Sequence, residues 1–329
     1  MKTNAIVRII IWSVVIILLV GLLLSVVFGR SYLRSARNAT AETAIPEPLV
    51  APLTEAGEAL RIPADQVTDI EIDWAAGSIL IRPADVEEIC ISESDVSDTN
   101  YAMVYRHRDN KLTLEFCEET FMDFIGITTT ISKDLRILVP WGWTCNSLEV
   151  NAASATLEVN DLTIQEVEID SASGECWFDK CTVDTLDLDT ASGDVQFVGE
   201  LNILDCEAAS ASVRAVLGNT PTRMDLDSMS GDLDITLPVD AGFTAKIDAL
   251  NSDFTSDFPT TQVNGNHVCG NGSCRINVSA MSGNVIIRQA AAATEHAHTE
   301  ECTTNPDSCP DPTEATCPSE HESRFRQCH

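Results

Sequence analysis

The sequence predicts an all-β fold: a stacked, solenoid-like repeat domain of about eight coils of about twenty residues each, behind one N-terminal transmembrane helix. Three observations carry this. A strand–bend–strand figure, clearest in Leu186–Phe197 (LDLDTASGDVQF), recurs along the chain with bend residues Gly77, Ala155, Gly174, Gly193, Ala211, Gly231, Ser252 and Gly283. From Ala155 to Ser252 these are spaced 19, 19, 18, 20 and 21 residues apart, a fixed period that marks stacked repeats. Ahead of them, Ile9–Phe28 is a run of twenty uncharged residues, long enough to cross a bilayer.

Position by position, the repeats form columns. Seven residues before the bend stand Ile70, Leu148, Val167, Leu186, Leu204, Met224, Ala245 and Ile276. Five before it stand Ile72, Val150, Ile169, Leu188, Cys206, Leu226, Ile247 and Val278, and two after it Ile79, Leu157, Cys176, Val195, Val213, Leu233, Phe254 and Val285. Apolar residues at a period of two mean strands with one buried face. Two before the bend the residues are mostly small (Ala75, Ala153, Ala172, Ala191, Ala209, Met229, Leu250, Met281) and read as inward-facing where the chain turns. A bend of Gly, Ala or Ser suits strained backbone and close approach between layers. One such unit cannot bury its apolar face alone; stacking at about 4.8 Å per coil would give a rod roughly 40 Å long. An antiparallel sandwich of hairpins is the competing architecture, but it need not repeat side chains in columns.

The outward columns are acidic. Six before the bend stand Glu71, Glu149, Glu168, Asp187, Asp205, Asp225, Lys246 and Asn277; four before it stand Asp73, Asn151, Asp170, Asp189, Glu207, Asp227, Asp248 and Ser279. Twelve of these sixteen are carboxylates, and like charges stacked across strands are destabilising, so the pattern needs a reason. One reason is structural: solubility, with the Asp four before the bend capping backbone amides in an Asx-type turn. The other is a face that meets cations, either Ca²⁺ or a basic peptide or protein. On that reading the binding face is Glu168, Asp170, Asp187, Asp189, Asp205, Glu207, Asp225 and Asp227, and the candidate Ca²⁺ ligands are Asp170, Asp189, Asp227 and Asp248.

The formal net charge of −31 excludes nucleic acid as a partner, since phosphate contacts need Lys and Arg. Twelve cysteines favour an oxidising compartment. The spacings offer Cys176/Cys181, Cys269/Cys274 and Cys90/Cys117 as disulfides, while Cys176 and Cys206 also fall in buried columns and serve equally as small core residues.

In chain order, residues 1–30 form the anchor. A cleaved signal peptide is the alternative, but Ala39-Thr40-Ala41 lies well past the apolar run with three arginines between. Residues 31–64, with Pro46, Pro48, Pro52 and Pro63, read as a juxtamembrane linker. The repeat domain spans 65–290. A hairpin insertion at 84–134 has strands at Glu87–Ser92, Tyr101–Arg106 and Lys111–Phe116, a turn at Asp109-Asn110, and an apolar cluster (Phe121, Met122, Phe124, Ile125) read as a cap. LRILVP (135–140) and ITLP (235–238) read as strands ending in Pro turns, and 259–275 as a protruding Gly/Asn-rich loop. Residues 291–329 form a Cys/His-rich tail, with Cys302, Cys309, Cys317 and Cys328 at spacings that match no zinc module.

The ASGDV figure at 191–195, its variant MSGDL at 229–233, the two Pro-terminated strands and the hairpin insertion after the first coil resemble the bacterial putative-adhesin family of β-strand-repeat domains, a family of unknown function. The resemblance covers residues 65–290. It implies an exported or membrane-tethered, non-enzymatic domain, some of whose relatives are linked to cell-envelope stress sensing, and it brings no catalytic residues. The cysteine count and the tail depart from that pattern. The chain has no nucleophile elbow, Walker loop, Rossmann glycine pattern or HExxH helix. The expectation is therefore a single-pass protein of the cell membrane, its bulk extracytoplasmic, binding a cationic peptide, an envelope component or a partner protein. An assembly module crosslinked through cysteines and a Ca²⁺-stabilised rod are the alternatives.

Overall fold

The computed structural model describes residues 51–52, 59–94, 102–117, 132–251 and 253–291. The apolar run Ile9–Phe28 expected to be an anchor, the cluster Phe121–Ile125 and the Cys/His tail lie outside the described residues. Among the described residues there is no α-helix, and no helix long and apolar enough to cross a membrane.

One winding sheet contains every strand. β1 (Ala51–Pro52) and β2 (Leu60–Pro63) precede a 3₁₀ turn, and β3 (Asp69–Ala84) forms the first coil. β4 (Glu88–Glu93), β5 (Val104–Arg108), β6 (Lys111–Glu115) and β7 (Lys133–Pro140) follow. The regular coils run through β8 (Thr144–Asn160), β9 (Thr163–Ser173), β10 (Cys176–Ser192), β11 (Val195–Ser210), β12 (Val213–Leu217), β13 (Arg223–Ser228) and β14 (Leu233–Leu237). β15 (Phe243–Asn251), β16 (Phe254–Ser256), β17 (Thr261–Val263), β18 (Asn266–Cys269), β19 (Cys274–Ser282) and β20 (Val285–Gln289) complete it.

Each coil has two arms joined at the bend, and both arms stack in parallel. The columns read from the sequence are the register found: Leu148 pairs with Val167, Val167 with Leu186, Leu186 with Leu204 and Leu204 with Met224. The apolar columns are buried throughout, loosening only at Ile247 and Phe254 in the terminal layer. Phe178 and Phe197 stack in successive layers at 5.6 Å between centroids.

The inward small column is one residue earlier than expected. Trp74, Ala152, Ser171, Thr190, Ala208, Ser228 and Ala280, three before the bend, are buried, whereas most residues two before it face outward, with Leu250 71% exposed. Strict alternation continues up to the bend, so the even offsets stay on the solvent side. At the bend itself the layers are stitched by serine hydroxyls: Ser173, Ser192 and Ser282 donate to the carbonyls of Ala153, Ala172 and Met229 at 3.2, 3.2 and 3.1 Å. The amide caps come from the residue after the bend. Asp232 accepts from the Asn284 amide at 2.7 Å, and Asp194 from Ser212 at 3.4 Å, the role expected of the Asp four before it.

Chain order and stacking order differ at both ends. β6 and β7 form a layer ahead of β3, so the insertion together with the LRILVP strand that follows it supplies the first coil in space. At the other end β19 and β20 lie between β13/β14 and β15/β16. The insertion's hairpin turns at Asp109-Asn110, both with positive φ (51° and 65°), as read. The sheet also begins inside the stretch read as linker, since β2 pairs with β4 and β1 with β5.

The cysteine pairs expected from spacing are not joined as disulfides, and all eight described cysteines are buried. Cys269 and Cys274 flank Phe243 on opposite edges of β15, two strand spacings or about 9.6 Å apart, beyond disulfide reach. Cys176 and Cys181 both enter the core with Phe178 between them, and the Cys181 thiol donates to the Val159 carbonyl at 3.3 Å. Cys90 lies on the outer side of β4, beside Arg61, while Cys117 belongs to the core.

Candidate binding face

The two acidic columns become continuous ladders on the first arm, because parallel in-register strands set each side chain beside its counterpart at about 4.8 Å. One runs Glu71–Glu149–Glu168–Asp187–Asp205–Asp225–Asn277–Lys246. The other runs Asp73–Asn151–Asp170–Asp189–Glu207–Asp227–Ser279–Asp248. All eight residues of the expected binding face are thus brought together. The four candidate Ca²⁺ ligands are not: Ser279 separates Asp227 from Asp248, and among the described residues no group of three His, Cys, Asp or Glu side chains converges to hold a metal ion. A flat ladder spreads its carboxylates where a Ca²⁺ site must wrap them.

Basic and amide groups terminate the ladders. Lys111, from the inserted hairpin, reaches Glu71 at 3.0 Å and Glu149 at 3.4 Å, and Asn151 donates to Asp73 at 2.9 Å. Arg223 bridges Asp205 and Asp225 at 3.0 and 2.6 Å, and Asn277 donates to Asp225 at 2.6 Å. Between these ends, no basic side chain among the described residues reaches Asp187, Asp189, Glu207 or Asp227, all exposed. Lys111 and Arg223 lie outside the acidic columns, two residues before the position six ahead of the bend in their own strands, so column counting gave them no weight.

Repulsion concentrates at the centre. Partial desolvation against the sheet, then Glu207, Asp170, Asp187 and Asp205, push the Asp189 carboxyl up to about 6. Asp187 is raised by desolvation, then by Asp205, Glu168 and Glu166. Beneath them the Cys206 thiol is pushed up to about 12, by burial first and then by Asp189, Asp205, Asp187 and Asp227. Between the ordinary value of 3.8 and about 6, native Asp189 therefore holds a proton that the unfolded chain has released. Its contribution to stability is full below 3.8 and is lost as pH rises through about 6. Asp189→Asn should accordingly raise Tm at neutral pH and flatten this part of the pH profile in paired thermal melts. A variant no more stable than wild type at neutral pH would contradict the repulsion.

Residues 67–213, from the first coil to the second arm after Ala211, match the family model described as Toastrack DUF4097. Over that span, less than half of the chain, it is similar to a Toastrack domain. Its unknown-function, β-repeat character agrees with the resemblance read from the ASGDV figures. No curated protein matches the chain. Among solved structures, a putative adhesin from Bacteroides fragilis NCTC 9343 aligns at 15% identity and a TM-score of 0.43, covering 72% of this chain and 98% of that one. A putative cell adhesion protein from Clostridium sporogenes ATCC 15579 aligns at 11% identity and a TM-score of 0.33, covering 70% and 98%.

Proposed function

We propose that the Toastrack-like domain is a membrane-tethered, extracytoplasmic and non-enzymatic binding module whose acidic ladder takes cationic ligands: a basic peptide, a cationic envelope component or a basic patch on a partner protein. One observation carries the reading. Among the described residues, the ladder is neutralised at its ends and left exposed and without a basic partner at Asp187, Asp189, Glu207 and Asp227, with its repulsion felt at Asp187 and Asp189. An array of cations at matching spacing relieves that repulsion, which makes association favourable and salt-dependent. The apolar run Ile9–Phe28 supports the tether. The adhesion-related names of the two solved structures belong to those proteins, and the proposal does not rest on them.

The test is titration of the full chain with an oligolysine peptide at two ionic strengths. Changing Asp187, Asp189 and Glu207 together to their amides should weaken binding about tenfold or more and remove most of the salt dependence. Because these changes relieve repulsion, the variant should fold at least as well as wild type, so lost binding would not be lost structure. Equal affinity of variant and wild type, or binding indifferent to salt, would reject the reading. The cysteine-crosslinked alternative gains nothing from the eight described thiols, which are all buried.

A further inference from the structure

The last coil of the chain is not the last layer of the stack. β14 ends at Leu237, and the chain passes over one whole layer to lay down β15 and β16, then returns through the β17–β18 hairpin so that residues 274–289 fill the vacant place. This clip is hydrogen-bonded on both sides and on both arms. Ile276 sits between Met224 and Ala245, Val278 between Leu226 and Ile247, and Val285 between Leu233 and Phe254. Without it the edges of β13 and β15 would face each other about 9.6 Å apart, a slot for one strand pair.

The clip is matched to that slot. Where neighbouring coils carry acids it presents Asn277, which donates to Asp225 at 2.6 Å, and Ser279 beside Asp227. Arg288 Nε meets both oxygens of Asp234 at 2.8 and 3.0 Å. A regular acidic coil in the same place would extend the repulsive ladder. These contacts are made with the layers on either side, and they are the same whichever chain supplies the clip.

The crossing that seats the clip in its own slot is tight. Residues 270–273 straddle the start of β15, leaving Cys269 on one edge of Phe243 and Cys274 on the other. A Cβ on Gly242 would lie 1.9 Å from Asn271 Oδ1 and 2.9 Å from its backbone nitrogen. The crossing loop holds Gly270 and Gly272 at φ of 56° and 66°. A clip arriving from a second copy keeps every slot contact and needs no such crossing.

We propose that the chain forms a strand-exchanged dimer in which residues 274–289 of each copy fill the slot of the other, with 270–273 as the hinge. Asp227 and Ser279 are direct register partners, so they report the exchange. Two differently tagged full-length copies, with the tail cysteines 302, 309, 317 and 328 changed to serine, would carry Asp227→Cys in one and Ser279→Cys in the other. They are unfolded together, refolded and oxidised. A covalent heterodimer should form in the mixture and in neither copy alone. Gly242→Val in both copies should raise its yield severalfold, since the atoms nearest the added side chain belong to the crossing residue Asn271, and a short Gly-Ser insertion after Gly270 should lower it. Folded monomer in every mixture, with no heterodimer above the single-copy controls, overturns the proposal. If Gly242→Val fails to fold, the mixture with Gly242 intact decides by the same criterion.

Discussion

Gly193→Val is expected to cost about 4 kcal/mol or more and to lower Tm by roughly 10 °C or more, measured by thermal circular dichroism. Two penalties add at this position. Gly193 has a φ of +112°, which a β-branched residue scarcely adopts, and a Cβ there would lie 1.9 Å from the carbonyl oxygen of Gly174 in the layer below. Neither neighbour can yield, because Gly174 has the same problem against Ala155, at 2.1 Å. At Gly174 and Gly193 the bend column is thus backbone against backbone, with no room for a side chain at either glycine. Gly142→Ala is the control: its φ of +77° is also left-handed, but nothing lies within 4 Å of the added atom. It should cost only about 1 kcal/mol. Equal losses at the two sites would show that backbone conformation alone, and not the contact between layers, makes glycine necessary.

That comparison also explains what could be read from the sequence. Side-chain period and the recurrence of small bend residues are properties of single coils, and stacking in register merely repeats them, so the buried columns and the acidic ladder were legible residue by residue. The order of the layers was not. Ile276 suits a place beside Met224 as well as one beside Ala245, since each layer presents the same kind of edge, and nothing in the period says that the final coil goes back one step. The inward small column was misplaced because alanine two before the bend looks like a core residue by type, although its parity puts it outside. The cysteines misled for a related reason. Separation by five residues suggests proximity, but Cys269 and Cys274 are parted by an intervening strand. Buried thiols such as Cys176, pushed up to about 12 by desolvation, behave as small apolar side chains.

The N-terminal end of the stack held the least legible feature, and it carries the second large effect. Lys133 occupies the bend position of the layer beneath Gly77, only 1% exposed, with its Nζ 2.8 Å from Glu93 Oε2, bonded to the Phe116 carbonyl and set over the rings of Trp74 and Phe116 at 4.9 and 4.2 Å. Glu93 also accepts from the Met103 amide at 2.9 Å, and Trp74 Nε1 donates to the Lys133 carbonyl at 3.0 Å. One ammonium thereby ties β3, β4, β6 and β7 into the terminal layer. Glu93→Leu should leave that charge buried without its carboxylate and cost about 3–5 kcal/mol. Adding Lys133→Met should recover a large part of the loss, because an apolar pair of similar volume carries no desolvation penalty. Desolvation by burial already holds Lys133 below its ordinary 10.5, against the pull of Glu93. In the window between its native value and 10.5 the unfolded chain binds the extra proton, so stability from this group rises with pH. Removing Glu93 lowers the native value further and widens that window. The deficit of Glu93→Leu should therefore shrink as pH climbs toward 10.5, and urea melts of wild type and the two variants across that range would show it. A deficit independent of pH, or a double variant as unstable as Glu93→Leu alone, would mean that the terminal layer is held by its apolar contacts and that the buried charge is incidental to it.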